Sequence, residues 1–207
     1  MGPIRKKAKA KSEATRQALL HSAVKIIGSR GYTAATIDAI AEDAGVSKGV
    51  VYYYFKTKAD IATQVLVSVC RDLVTRFERD IAAIRSPHDA MCAIIKDFAN
   101  LIFDNREAAR FVLTELWRQD RLWSGEMREQ EERLSAVIGE LLQRGIDDGR
   151  VRPEIDLEFT AAALTGTVLI TAQFYLLNDK TPDVEHFSAL CIDHIQHALA
   201  VPGTLAS

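Results

Sequence analysis

The sequence is poor in the features that mark secreted, metal-binding and membrane-spanning proteins. Its 207 residues include only three cysteines, Cys70, Cys92 and Cys191, which are far apart and odd in number. A disulfide framework or a zinc site is therefore not expected, and a reducing compartment suits the chain. No secretory signal is recognisable, and no apolar run approaches the roughly 18 residues that a membrane span needs. We expect a cytoplasmic protein with no membrane partner.

Signatures of catalysis are lacking as well. The sequence contains no glycine-rich phosphate loop, no Gly-x-Ser-x-Gly nucleophile elbow, and no cysteine and histidine at a catalytic spacing. His194 and His197 lie three residues apart, but no carboxylate or cysteine completes a recognisable metal-binding set around them. We therefore expect neither an enzyme nor a bound metal or cofactor.

The remaining composition is that of a helical globular protein. Hydrophobic residues make up 48% of the chain and charged residues 26%, while prolines number only 5. Alanine, leucine, glutamate and arginine are abundant, and these residues favour helices. Apolar residues recur at helical spacing along most of the chain, with no strand signal between them. The sequence therefore predicts an all-α fold.

The two parts of the chain carry opposite charge. Residues 1–58 contain 11 Lys and Arg against 4 Asp and Glu, a net +7, whereas the remainder contains 15 against 24, a net −9. A basic module on an acidic body is expected when only the first part meets a polyanion. The basic residues that precede the first acidic one predict an arm that contacts DNA, although a merely solubilising tail would have the same composition. They are Arg5, Lys6, Lys7, Lys9 and Lys11.

Beginning at Thr36, a short helix, a glycine and a second short helix follow one another. Ile37 and Ala41 are four residues apart on the first helix, and Thr36 is suited to capping it. Gly45 can take the left-handed conformation that ends a helix and turns the chain sharply. Ser47 can then cap a new helix. This order predicts a helix-turn-helix.

One face of the second helix combines a cation, a residue without a side chain and two phenols, contributed by Lys48, Gly49, Tyr52 and Tyr53. Lysine can neutralise a phosphate, glycine lets the helix approach closely, and tyrosine can offer a hydroxyl to phosphate or a ring edge to a thymine methyl. Val50 can reach a methyl too. The face therefore suits a DNA duplex; the alternative is a small three-helix core with a tyrosine-rich surface.

Residues 45–58 read GVSKGVVYYYFKTK, and this run resembles the signature of the tetracycline-repressor (TetR) family of bacterial transcription regulators. The resemblance implies a homodimer whose DNA reader is joined to a divergent, ligand-sensing helical domain. Many family members carry histidine where this chain has Tyr54, so that side chain can instead pack inside. The positions that the resemblance implies to touch DNA are Thr36, Ser47, Lys48, Gly49, Val50, Tyr52, Tyr53, Tyr54 and Lys58.

The chain is predicted to have four parts. A basic N-terminal arm covers residues 1–11, and a three-helix DNA-binding domain covers residues 12–58, with its helix-turn-helix motif at 36–55 and its first helix beginning near Ser12 or Thr15. A helical ligand-binding and dimerisation domain covers residues 59–200. A C-terminal tail of residues 201–207 follows.

Large aromatic residues are distributed over the helices of the predicted ligand-binding domain. Ligand pockets are mostly apolar and aromatic, so these side chains are candidates to line one, although each can instead fill a core. The short stretch Thr114–Gln119 weakly resembles a segment of acyl-CoA-responsive family members, which makes acyl-CoA one candidate effector. We expect an apolar or amphipathic ligand to contact Phe98, Phe103, Phe111, Trp117 and Phe174, with Trp123, Phe159 and Tyr175 as further aromatics nearby.

The last two predicted helices are apolar on more than one face. Small residues four apart on the first of them permit the close approach of another helix, and the second has a matching apolar stripe. Pairing with their copies across a two-fold axis would give a four-helix dimer interface, as in the family; the alternative is that they cover the chain's own core. The predicted dimerisation residues are Ala162, Gly166, Ile170, Phe187, Cys191 and Ile195.

The predicted function is that of a ligand-responsive transcription regulator. We expect a repressor that binds a palindromic operator in double-stranded DNA as a homodimer and is released by its small-molecule effector. The alternative is a helical architectural or interaction protein that binds nucleic acid without ligand-regulated sequence reading. Sharp sequence preference favours the first function, and binding that depends on salt alone favours the second.

Overall fold

The computed structural model describes residues 3–117 and 125–201, except for the side chains of residues 3–9 and of Glu107. The predicted all-α fold is confirmed. Arg118 and Gln119, the end of the stretch that resembles acyl-CoA-responsive family members, and the candidate aromatic Trp123 lie outside the described residues. The helices of the described part are α1 (Pro3–Ala34), α2 (Ile37–Asp43), α3 (Lys48–Tyr54), α4 (Lys58–Ala83), α5 (Pro87–Phe103), α6 (Arg106–Leu116), α7 (Gly125–Asp147), α8 (Leu157–Leu177) and α9 (Val184–Leu199).

Side chains that cap helices fix where most of these helices begin. The Thr36 hydroxyl accepts a hydrogen bond from the Ala39 amide at 3.1 Å at the start of α2. At the start of α4, the amide of Asp60 donates to the Thr57 hydroxyl and the amide of Thr57 donates to the Asp60 carboxylate, which together form a capping box. Equivalent side-chain caps are made by Ser86 for α5, Asp156 for α8 and Asp183 for α9.

Helix α1 begins earlier than the sequence predicted. It starts at Pro3 instead of near Ser12 or Thr15, so the described part of the basic arm, residues 3–11, is helical. Lysine, arginine and alanine in this stretch are good helix formers, and proline is tolerated in the first turn because its missing N–H has no partner there. Gly31, with φ of 76°, interrupts the helix near its end, in a backbone conformation that favours glycine.

The described chain forms two compact units. The first contains residues 3–69 and 107–117, and the second contains residues 70–106 and 125–201, so that α4 contributes to both. In the first unit, the apolar stripes of α1, α2 and α3 pack together with the start of α4 and with Phe111 of α6. Its fully buried centre includes Leu19, Ala23, Ile40 and Val51. The predicted functional domain boundaries stay a prediction.

In the second unit, α9 packs along α5, and α7 packs against both α5 and α8. The ring of Phe187 meets the ring of Phe103 edge to face, with centroids 5.0 Å apart, and that of Tyr175 at 5.8 Å. Arg144 donates to the backbone carbonyls of Ile81 and Ile84, at 2.7 and 2.5 Å, and so caps the end of α4. β-type pairing in the described residues is an isolated bridge between residues 151 and 200.

Helix α8 corrects one expectation from the sequence. Among the described residues, α8 is long and apolar enough to cross a membrane when only length and composition are considered. The mean hydropathy of its 18-residue window is 1.4. The expectation that no apolar run approaches this length was wrong, because threonine, glycine and glutamine interrupt the run without adding charge. One stripe of the helix is buried in the second unit. It consists of Ala161, Leu164, Val168, Ala172 and Leu176. The opposite stripe is exposed.

Candidate nucleic-acid interface

The turn between α2 and α3 is built as the sequence predicts. Gly45 adopts a φ of 67°, the left-handed region that favours glycine. Its amide donates to the Glu42 carbonyl at 3.1 Å, and the next amide, that of Val46, donates to the Ala41 carbonyl at 3.0 Å. The side chain of Val46 packs against the core of the first unit. These contacts fix the direction in which α3 leaves the turn.

The core of the first unit determines which face of α3 is exposed. Val51 has no exposed surface, and Phe55, directly after the helix, is 3% exposed. Because these two side chains hold α3 to the core, the opposite face points to solvent. Tyr53 is 80% exposed and Tyr52 is 47% exposed, so both phenols are available to a partner. This is the tyrosine face that the sequence predicted.

The first residues of α3 present polar groups beside the tyrosines. The Lys48 ammonium donates to the Asp38 carboxylate of α2 at 2.8 Å, and this bond raises the pKa of Lys48. Ser47 caps the helix by position, but its hydroxyl makes no capping hydrogen bond. Thr36 and Val50 complete the surface, Thr36 exposed and Val50 half-buried. The exposed surface of α2 and α3 therefore offers hydroxyl, ammonium and apolar groups together.

Besides Lys48, two further residues of the predicted set are held by intramolecular contacts. The hydroxyl of Tyr54 lies 3.0 Å from that of Ser12 on α1, and the half-buried Tyr54 ring packs against the core. The Lys58 ammonium donates to the Thr33 carbonyl at 3.1 Å and lies 4.5 Å from the centroid of the Tyr32 ring. Lys58 is thus tied to the end of α1, and a phosphate would compete with these contacts.

Sequence reasoning missed Asp38 and Ser12 as parts of this surface. Asp38 lies in the first turn of α2, where an acidic residue is expected for any helix. Its position in the sequence therefore does not indicate that it forms an ion pair with Lys48. Ser12 and Tyr54 are separated by 42 residues, so only the packing of α1 on α3 brings their hydroxyls together. No local sequence pattern signals such a contact.

Gly49 offers a test of close approach by DNA. A methyl group built at Gly49 would meet only the Ser47 hydroxyl, at an ordinary 3.8 Å, so the protein interior does not require glycine there. Gly49→Ala should therefore stabilise the protein by up to about 1 kcal/mol, because alanine favours a helix over glycine. It should also weaken DNA binding about tenfold or more, because the methyl group separates α3 from the duplex. Thermal unfolding and fluorescence anisotropy with duplex DNA measure the two effects.

Gly139 on α7 is the matched control for this substitution. It too is helical and has no neighbouring atom within 4 Å of an added methyl group. Gly139→Ala should give a similar gain in stability and leave DNA affinity unchanged. If Gly49→Ala bound DNA as tightly as Gly139→Ala, Gly49 would not face the duplex closely.

Comparison with known proteins agrees with this surface. The family model for bacterial regulatory proteins of the tetR family matches residues 19–65, which contain α2, α3 and the start of α4. The chain belongs to the tetR family. The Bacillus subtilis fatty acid metabolism regulator protein is 25% identical to this regulator over 170 residues, covering 80% of this chain and 86% of that protein. The transcriptional repressor KstR2 of Mycolicibacterium smegmatis is 28% identical over 168 residues, covering 77% and 78% of the two chains.

A solved structure extends the agreement to the whole TetR-family fold. The crystal structure of FadR from Bacillus subtilis in complex with stearoyl-CoA matches with a TM-score of 0.76 and 22% identity, covering 89% of this chain and 99% of that chain. This likeness shows the fold, and the family model together with the named relatives shows that the chain is a DNA-binding transcription regulator. The family and these relatives are named as regulators, not as enzymes.

The predicted ligand-binding aromatics lie in different places. Phe103 is buried in the aromatic cluster of the second unit, Phe98 is half-buried on α5, and Phe174 is 53% exposed on α8. Phe111 is 6% exposed in the core of the first unit, where its ring lies 5.4 Å from that of Tyr32. Trp117, just after α6, is 51% exposed. The structure thus brings Phe103 near Tyr175 and Phe187 in the second unit, whereas Phe111 and Trp117 belong to the first unit.

The predicted dimerisation residues separate into two groups. Ala162 and Ile170 on α8 are exposed, and between them Gly166 has open space where a methyl group would lie. On α9, however, the chain's own packing buries the apolar stripe. Its members are at most 5% exposed and face the second unit's core: Phe187, Cys191 and Ile195. Their role in dimerisation stays a prediction.

Proposed function

We propose that this TetR-family regulator is a repressor that binds an inverted repeat as a homodimer and is released by an amphipathic effector in the cytoplasm. The observation that carries the proposal is the α3 face on which Tyr52, Tyr53, Lys48 and Gly49 are exposed while Val51 and Phe55 fix the helix from behind. Such a rigidly held helix suits the major groove, with its first residues nearest the base edges. On binding DNA, the Lys48 ammonium would leave the Asp38 carboxylate and contact a phosphate or a base instead.

The exposed stripe of α8 supports the homodimer. Phe159, Ile170, Phe174 and Leu177 are between 51% and 75% exposed in the single chain, and they follow one another at helical spacing. Contiguous apolar surface of this kind marks an interaction site in a soluble protein. A second copy, related by a two-fold axis, would cover the stripe with the same residues. Gly166, in the middle of the stripe, would let the two α8 helices approach closely.

The effector is proposed from chemistry and from similarity together. The similar Bacillus subtilis protein is named for fatty acid metabolism, and the FadR structure holds stearoyl-CoA. An acyl chain would suit a site beside the aromatic cluster of the second unit, with Phe98, Phe103 and Phe174 as contacts. Release from DNA requires that the effector bind more tightly to the conformation in which the two α3 helices are wrongly placed.

The proposal is tested by selecting bound duplexes from a random DNA pool at near-physiological salt and sequencing them. We expect the wild-type protein to enrich an inverted repeat. The centres of its two half-sites should be separated by about 34–36 Å, which is one turn of DNA, or by a multiple of that distance. Tyr53→Ala should lose the enrichment, because it removes the most exposed side chain of the reading face. Tyr53→Phe keeps the ring and removes the hydroxyl, so it separates contact with thymine from hydrogen bonding to phosphate.

Two results would contradict this assignment. An inverted repeat selected equally well by Tyr53→Ala would mean that α3 is not the reading helix. Binding that fades with salt and enriches no sequence would favour the architectural function instead. Adding stearoyl-CoA to the selected duplex complex should release the wild-type protein from DNA.

A further inference from the structure

A hydrogen bond between α1 and α3 lies next to the most exposed side chain of the reading face. The Ser12 hydroxyl on α1 and the Tyr54 hydroxyl on α3 are 3.0 Å apart, a hydrogen-bond distance for two hydroxyl groups. The Tyr54 ring packs against the core of the first unit, where its centroid lies 6.4 Å from that of the buried Phe55 ring. Tyr54 is therefore held by the core along its ring and by Ser12 at its hydroxyl.

Tyr54 in turn supports the ring of Tyr53. The two ring centroids are 5.0 Å apart and the ring planes are at 90°, an edge-to-face arrangement that aromatic rings favour. Tyr53 is 80% exposed, so the core covers little of its surface. An exposed side chain without such support changes rotamer within nanoseconds. The contact with the fixed Tyr54 ring therefore favours one orientation of the Tyr53 ring.

Open space beside Tyr53 makes this support important. A groove of about 400 Å³ lies between α1 and α3. It is lined by Lys11, Ser12, Thr15, Val50, Tyr53 and Tyr54. Because Tyr53 forms part of the wall, an unsupported ring has room to turn into the groove and leave the surface that is offered to DNA.

We propose that Ser12 and Tyr54 are positioning residues that hold Tyr53 in the orientation in which it contacts DNA. The inference deepens the proposed function and rests on it, because it requires that Tyr53 meets the duplex. It also assigns the Tyr54 hydroxyl to Ser12 instead of to DNA. A side chain that is ordered before binding loses less conformational entropy in the complex. The hydrogen bond between Ser12 and Tyr54 therefore raises DNA affinity without touching DNA.

The test compares Ser12→Ala, Tyr54→Phe and the double variant by fluorescence anisotropy with the duplex that the wild-type protein selects. Each single variant should bind about 2- to 10-fold more weakly, which is the effect of loosening one side chain. The double variant should bind no more weakly than either single variant, because both substitutions remove the same hydrogen bond. Thermal unfolding establishes that each variant is folded.

Thr15→Val is the matched control. The Thr15 hydroxyl lines the same groove, but it donates to the Lys11 carbonyl at 3.0 Å, within its own helix. Valine keeps the shape of the side chain and removes the hydroxyl. This variant should bind the duplex like the wild-type protein. If it weakened binding as much as Ser12→Ala, the groove as a whole would contact DNA and the positioning role would be overturned.

Repeating Ser12→Ala in a Tyr53→Ala protein identifies the residue through which the pair acts. At a salt concentration at which Tyr53→Ala still binds the duplex, the added Ser12→Ala substitution should have no further effect. A general loss of structure would weaken binding in both backgrounds. A further loss in the Tyr53→Ala background would therefore contradict the positioning role.

The remaining outcomes separate this inference from the proposed function. Additive losses in the double variant would mean that the two hydroxyls contact DNA independently. Unchanged or tighter binding by Ser12→Ala, with weaker binding by Tyr54→Phe, would assign the Tyr54 hydroxyl to DNA. Either result would overturn the inference while Tyr53→Ala still loses the selected repeat. Failure of the proposed function has a different signature, because Tyr53→Ala itself would then bind that repeat like the wild-type protein.

Discussion

Replacing Phe187 with alanine is expected to lower the free energy of unfolding by about 3–5 kcal/mol. The side chain is 1% exposed, and its ring packs edge to face against those of Phe103 and Tyr175. Truncation removes buried apolar area and leaves a cavity that a helical core closes only in part. Chemical denaturation followed by circular dichroism, at several protein concentrations, measures the effect and separates unfolding from dissociation.

Leu190 is the control for this prediction, because it lies on the same helix, α9, and is 50% exposed. Leu190→Ala should change the free energy of unfolding by no more than about 0.5–1 kcal/mol in the separated monomer. The sequence assigned Phe187 to the dimer interface, whereas the structure buries it within one chain. A Phe187→Ala protein that kept its stability but lost self-association would support the assignment made from the sequence.

Replacing Ile170 with glutamate is expected to weaken the proposed homodimer at least about 100-fold. The residue is 51% exposed in the single chain and lies in the middle of the exposed stripe of α8, next to Gly166. An unpaired carboxylate trapped between two apolar helices costs several kcal/mol, and each 1.4 kcal/mol is a factor of ten in affinity. The fold of the monomer should persist, because Ile170 is outside the buried stripe. Sedimentation velocity over a range of concentrations measures the association.

Ile170→Glu should also lose DNA binding when it loses the dimer, because a single protomer can contact only one half-site of the repeat. Ala136→Glu is the matched control, since it adds the same charge at an exposed position of α7 between Glu132 and Glu140. That variant should remain dimeric and bind the selected duplex normally. A dimeric Ile170→Glu protein would place the interface elsewhere on the chain.

The helix-turn-helix could be predicted from the sequence because its signals are local. Thr36, Gly45 and Ser47 mark the ends of two helices within twelve residues, and each acts through the conformation of its own backbone or a cap a few residues away. The spacing of Val51 and Phe55 then decides which face of α3 is buried. The exposed tyrosines follow from that spacing alone.

The parts that could not be predicted depend on which helices pack together. Helical spacing shows that Phe111 and Phe187 have an apolar environment, but it does not show whether a core, a ligand or a second chain provides it. Phe111 proves to lie beside Tyr32, from which it is separated by almost eighty residues in sequence. Such sites exist only after the fold has brought distant segments together.

The brevity of α3 has a thermal consequence. The helix has seven residues, fewer than two turns, and an isolated helix of that length does not hold its shape in water. Its conformation is maintained by Val51 and Phe55 in the core of the first unit. The proposed recognition of DNA by α3 should therefore be cooperative: on heating, it should disappear with the melting of the whole unit, and a peptide copied from the helix alone should not bind the selected repeat.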